Sequence, residues 1–178
     1  METIQQHRTA FIVEGILFIL LGILAIALPG VMTLGVELFV GWLFLIGGIV
    51  QGYRTLTSSN AAPGYWMSLL SGILSIIVGG MFLLYPLQGI AALTMLLIAF
   101  FLIEGSIKIA FGVQLKPLQG WGWLVLSGII SLLMAGILWS GWPGTAIWAI
   151  GLLVGINMIF FGSSLLTLAL SISKKPIE

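Results

Sequence analysis

Six stretches of this chain, each close to or above the length of a membrane span, run almost without charge, and that pattern restricts the folds open to it. They fall near residues 9–28, 33–55, 66–85, 89–113, 121–141 and 145–171. An α-helix rises about 1.5 Å per residue, so about 20 apolar residues cross a hydrocarbon layer about 30 Å thick. Barrel strands would instead alternate apolar and polar residues over segments of about ten. The run 15–28 shows no such alternation. Composition removes the soluble alternative. The chain is 60% hydrophobic and 6% charged, whereas soluble domains carry roughly 25% charged residues. It has too little polar surface to face water and a surface well suited to lipid.

The breaks between the stretches are of two kinds. Three are short and centred on proline: Leu28-Pro29-Gly30, Tyr85-Pro86-Leu87 and Trp142-Pro143-Gly144. Proline disfavours helix at the residue before it, and glycine permits the turn. The other two, 55–65 and 114–120, are longer and polar. Short and long breaks alternate, as a chain of helical hairpins requires.

The same alternation has a period. Pro29, Pro86 and Pro143 follow one another at intervals of 57 residues, as do Gly22, Gly79 and Gly136, and Gly48, Gly105 and Gly162. Gly15 and Gly72 obey the interval, while Gly128 stands one residue early. Landmarks sharing one period indicate internal triplication. The expected fold is an all-α integral membrane protein. Its six transmembrane helices form three repeated hairpins in a pseudo-threefold bundle, a single membrane domain. The repeats cover about 9–57, 66–114 and 121–172, with tails at 1–8 and 173–178. A signal peptide is the competing reading of the first stretch. His7 and Arg8, an apolar run and Ala25-Ile26-Ala27 imitate one, but Glu14 fits it poorly and the repeat claims that stretch as a helix.

Helices in lipid associate by close packing, which small residues allow. Ser71, Ser75 and Gly79 mark one such stripe, Ser127, Ser131 and Ala135 mark its counterpart, and Gly151 with Gly155 forms a GxxxG pair. Gly15, Gly22, Gly48, Gly72, Gly79, Gly105, Gly136, Gly151, Gly155 and Gly162 are therefore expected at helix contacts rather than around a ligand.

Orientation follows from the cations, which concentrate in cytoplasmic segments. Arg8, Arg54, Lys108, Lys116, Lys174 and Lys175 all lie on or nearest one side, and the proline hairpins carry none. Both termini and the long loops are expected in the cytoplasm. Tyr53, Tyr65, Trp66, Trp121 and Trp123 then form an inner aromatic belt, and Tyr85, Trp139, Trp142 and Trp148 an outer one, with Trp42 as the exception.

Four ionisable residues fall within spans: Glu14, Glu37, Glu104 and Lys108. Such groups are costly in lipid and are candidates for function. Glu104 and Lys108 are four apart, on one helix face and in the favourable order for an ion pair. Counted from the proline turns, Glu14 and Glu104 both lie on the order of 20 Å away, so the three can form one cluster. That cluster either senses or passes protons or is a structural clasp with Lys108 reaching toward the interface. The clasp is the simpler reading. Glu37 aligns by the period with Thr94 and Gly151. It is expected either in the bundle interior or in a hydrated first turn, where acids are favoured.

Catalytic chemistry finds no support. The chain has no Cys and no Asp, and His7 is its one histidine, so a metal centre or a Ser-His-Asp triad has no basis. No phosphate-binding Gly-Lys motif is present. Neither a cofactor nor an enzymatic activity is expected, and a net charge of +1 argues against nucleic acid as a partner. The bilayer is the expected partner, with a second copy or another membrane protein as candidates.

The pattern Glu14-Gly15-Ile16-Leu17, Gly22-Ile23-Leu24 and Leu28-Pro29-Gly30 resembles the HdeD-type acid-resistance membrane proteins, the DUF308 family. Leu102-Ile103-Glu104-Gly105 and Gly155-Ile156-Asn157-Met158-Ile159-Phe160 resemble that family's second-helix pattern. The likeness covers about residues 8–172. It implies a non-enzymatic, multi-pass protein of the bacterial inner membrane linked to acid or general stress resistance. It supplies no catalytic motif. Where many members of the family carry a basic residue, this chain has Glu14. Two further readings are a proton or small-solute transporter using Glu14, Glu104 and Lys108, and a membrane scaffold or assembly subunit. Continuous spans with few central charges disfavour the transporter.

Overall fold

The computed structural model describes residues 8–58 and 63–172, all in helices and their connections. Among these residues there are six helices: α1 (Arg8–Ala27), α2 (Pro29–Leu56), α3 (Tyr65–Leu84), α4 (Pro86–Gln114), α5 (Trp121–Ser140) and α6 (Ala146–Ile172). Each is long and apolar enough to cross a bilayer. With most of their large apolar side chains exposed, they make up a multi-pass membrane protein. The tails carrying His7, Lys174 and Lys175 lie outside the described residues.

Helix lengths alternate. The odd-numbered helices each have 20 residues, while α2, α4 and α6 have 28, 29 and 27. Two of the long helices begin earlier than the spans at 33 and 89 suggested. α2 starts at Pro29 and α4 at Pro86, because proline has its φ preset for a first helical position and lacks only an N–H that would be unpaired there. The break before each is a single residue, Leu28 or Tyr85. The third connection differs. It occupies residues 141–145, with Pro143 inside the turn rather than at the head of α6. There the Thr145 hydroxyl donates to the Leu138 carbonyl over 2.7 Å.

The chain falls into two compact units. The first holds the chain as far as Thr33 together with Trp148 onward, and the second is Leu34–Ile147. In the first, α1 packs along α6. A methyl built on Gly15 would stand 2.9 Å from the Gly162 carbonyl, and one on Gly22 2.7 Å from that of Gly155. Phe18 and Phe161 meet edge to face, centroids 5.0 Å apart. At the far end Gly151 lies against the Pro29 carbonyl, and its N–H donates to Thr33 Oγ1 over 2.9 Å.

In the second unit the tight contacts join α2 to α3 and α4 to α5. A methyl on Gly48 would stand 2.8 Å from the Gly72 carbonyl, and one on Gly79 2.7 Å from that of Gly41. Gly105 and Gly128 face each other likewise, each 2.8 Å from the other's oxygen. These paired glycine contacts link helices joined by a long loop, or the first helix to the last. Gly136 makes no such contact: it is exposed, with open space where a Cβ would stand. Its expected place is taken by Ala135, which is buried. Ala135 lies seven residues after Gly128, as Gly22 follows Gly15 and Gly79 follows Gly72. Gly128 comes one residue early, and the longer third turn absorbs the difference.

Candidate functional site

Among the described residues, charge inside the apolar helices is the feature that demands chemistry of its own. On α4, Lys108 Nζ lies 2.7 Å from Glu104 Oε1. One helical turn separates the two, which places them side by side on one face. The Gly105–Gly128 contact brings α5 close enough for its hydroxyls to join. Lys108 Nζ donates to Ser127 Oγ over 3.2 Å. The Ser131 hydroxyl reaches Glu104 Oε2 at 3.4 Å and the Ser127 carbonyl at 3.2 Å. Each charged group therefore has its opposite charge and a hydroxyl beside it, and both side chains are 30% exposed.

The 57-residue interval of the sequence leads from this network to other residues. By that interval, Glu104 corresponds to Gly47 and Phe161, and Lys108 to Gln51 and Leu165. In the first unit the corresponding residues are apolar, and Phe161 pairs with Phe18. Between α2 and α3 they border open space. A cavity of about 370 Å³ is lined by Gly47, Gly48, Gln51 and Ser75 among others. Toward the loop, Gln51 Nε2 donates to the Ser68 carbonyl over 3.1 Å, and the Thr55 hydroxyl lies 3.1 Å from Ser68 Oγ. A second cavity of about 510 Å³ adjoins these groups, with Arg54 and Tyr65 in its wall. Residues one interval apart in the sequence thus belong to an ion pair, an aromatic pair and a groove. The hydroxyl contacts of Ser127 and Ser68 were not singled out in the sequence, although Ser127 was visible in the small-residue stripe.

Glu14 belongs to the first unit and is exposed. Glu104 and Lys108 form their ion pair within the second.

Glu37 has a different environment. It lies eight residues into α2, about 12 Å along the helix from Pro29, and is completely buried. Neither carboxyl oxygen has a hydrogen-bond partner among the described residues. One of them, Oε1, presses against the backbone of α4 at Gly89, where a Cβ would collide with it. A side chain at 89 would have to displace the Glu37 carboxyl. Thr94, its counterpart on α4, is also fully buried, with its hydroxyl donating to the Ile90 carbonyl over 2.9 Å. Both positions are interior rather than hydrated helix ends.

A family model described as a short repeat of unknown function, DUF308, matches this chain twice, over residues 13–84 and 70–140. The chain is 28% identical over 174 residues to Protein HdeD of Escherichia coli strain K12, covering 95% of this chain and 90% of that protein. Proteins of the same name from Escherichia coli O157:H7 and Shigella flexneri match to the same extent. No solved structure matches.

Proposed function

The chain belongs to the DUF308 family, and from that membership we propose that it is a non-enzymatic inner-membrane protein of the HdeD type, serving acid or general stress resistance. The observation that carries this reading is the extent of the likeness to Protein HdeD, which runs over 95% of the chain. The protein acts through the bilayer or a membrane partner rather than through a reaction. The Glu104–Lys108 pair supports that, since the two groups are engaged with each other and with serines.

The architecture taken with this reading is three hairpins related by the 57-residue period, in a pseudo-threefold bundle. Three observations support it. Helix lengths alternate between 20 and 27–29 residues. The two family matches begin at 13 and 70, one period apart. The contacts Gly48–Gly72, Gly105–Gly128 and Gly162–Gly15 repeat one geometry. Termini and long loops face the cytoplasm, an orientation favoured by Arg54 and Lys116 at the long-loop end.

The test is survival after acid challenge in a bacterium whose own HdeD-type protein has been deleted. The expected result is that this chain restores survival. Failure to do so, with the protein present in the membrane at the level of the deleted one, would overturn the reading.

A further inference from the structure

Glu37 stands apart from the polar network around Glu104, and nothing in that network accounts for it. Its carboxyl is fully buried and without a partner among the described residues. An ionised carboxylate in such surroundings loses its hydration and gains nothing in return, a penalty larger than the marginal stability of a folded chain. It needs a counter-charge, a set of donors or a proton.

Among the described residues of the second unit, no counter-charge faces Glu37. α3, α5 and α6 contain no acidic or basic residue. On α4 the residues at that level, Gly89, Ile90 and Thr94, are uncharged. Glu104 and Lys108 lie 15 and 19 residues beyond Gly89, about 22 and 28 Å along the helix, and are paired with each other. Tyr85, at the head of α4, is exposed. On α2, Arg54 is 17 residues away, about 25 Å along the helix. On α1, Glu14 is exposed and of the same sign as Glu37; the other ionisable residue of that helix is Arg8, at its first position. A metal cation would need several oxygen ligands, yet on the α4 side the carboxyl faces Gly89, which has no side-chain oxygen to offer. The Thr94 hydroxyl already donates to its own helix.

We propose that Glu37 is a proton-binding site: its carboxyl is held as the uncharged acid in the closed packing of α2 on α4, and releases the proton only when the contact at Gly89 opens to water. In that step the O–H bond breaks, the proton passes to water and the electron pair stays on the carboxylate. Reclosure requires the proton back. The inference rests on the burial of one residue and stands whether or not the stress-resistance reading holds.

Infrared spectroscopy of the whole protein in lipid at neutral pH tests it through the carbonyl stretch of a protonated carboxylic acid. All five acidic residues of the chain are glutamates. The variant E14Q/E104Q keeps Glu37 with only the terminal Glu2 and Glu178 beside it. The expected result is an acid band in the wild type that persists in E14Q/E104Q and is lost in E37Q. Should E37Q fail to fold, E37T, which carries the residue found at Thr94, replaces it. A folded wild type that shows carboxylate absorption alone overturns the proposal. So does an acid band that survives in folded E37Q or E37T. A folded wild type without the acid band whose stability rises with sodium or potassium also overturns it, because the occupant is then a metal ion.

Discussion

Gly105 on α4 and Gly128 on α5 each lie under the other's carbonyl, so that a methyl added to either would stand 2.8 Å from the facing oxygen. Backbones this close leave no slack, and added atoms must push the helices apart. Gly105→Ala or Gly128→Ala is expected to cost about 1–3 kcal/mol in reversible unfolding from micelles. Gly136→Ala serves as the control. It faces open space and is expected to be neutral or to gain up to about 1 kcal/mol, the helix preference of alanine over glycine. Equal losses at all three positions would mean that the tight approach does not set the energetics.

The Glu104–Lys108 pair is expected to be a clasp. Hydrogen bonds between membrane helices couple by about 0.6 kcal/mol on average, so a double-mutant cycle of Glu104→Gln with Ser131→Ala should return a value of that order. The first unit suggests a sharper experiment. The triple variant E104F/K108L/S131F transplants the residues of the α6–α1 contact onto α4 and α5. Replacing an ion pair with packed apolar groups is often neutral or stabilising, so the triple variant should fold with stability equal to or above the wild type. Acid survival measured alongside would be lost only if the charges work.

Thr33 and Gly151 fasten α2 to α6 through the 2.9 Å hydrogen bond within the first unit. Thr33→Ser keeps the acceptor and should change little. Thr33→Val removes it and should cost about 1 kcal/mol. Gly151→Ala should cost more than either, because its methyl would strike the Pro29 carbonyl. Thermal unfolding of the three variants, compared at one detergent concentration, checks the order.

The chain has no cysteine, so a single introduced thiol reports its own side of the membrane. Ser58 ends the α2 side of a long loop and Ser140 borders the third proline turn, and both are exposed. With the proposed orientation, Ser140→Cys in intact spheroplasts should react with a membrane-impermeant maleimide, and Ser58→Cys should react only after lysis. The opposite pattern would invert the topology.

Much of the fold could be read directly because lipid imposes length and apolarity on each span, and proline marks the turns. α2 and α4 start three or four residues before the spans that the sequence suggests, because Pro29 and Pro86 open the helices rather than break them. Gly136 departs from its expected place for a related reason. Counting from Pro143 carries the extra residue of the third turn into the helix, while counting from Gly128 leads to Ala135. The small-residue stripes revealed that contacts exist but not their partners, since a glycine signals close approach without naming the helix that approaches. Gly15 meets Gly162 at the other end of the chain. The charges in the spans were evident at once. Whether Glu37 was hydrated or interior was not, because an acid early in a helix suits both settings and only the packing against Gly89 separates them.

The alternation of helix lengths ties the protein to the thickness of its membrane. A helix of 20 residues rises about 30 Å, no more than the hydrocarbon layer it crosses. α1, α3 and α5 therefore have no reserve, and a thicker bilayer would draw their ends below its surface. α2, α4 and α6 rise about 40 to 44 Å and can meet a thicker bilayer simply by tilting less. Hydrophobic mismatch in this protein is thus borne by one set of three helices, and lipids with longer chains would strain that set first.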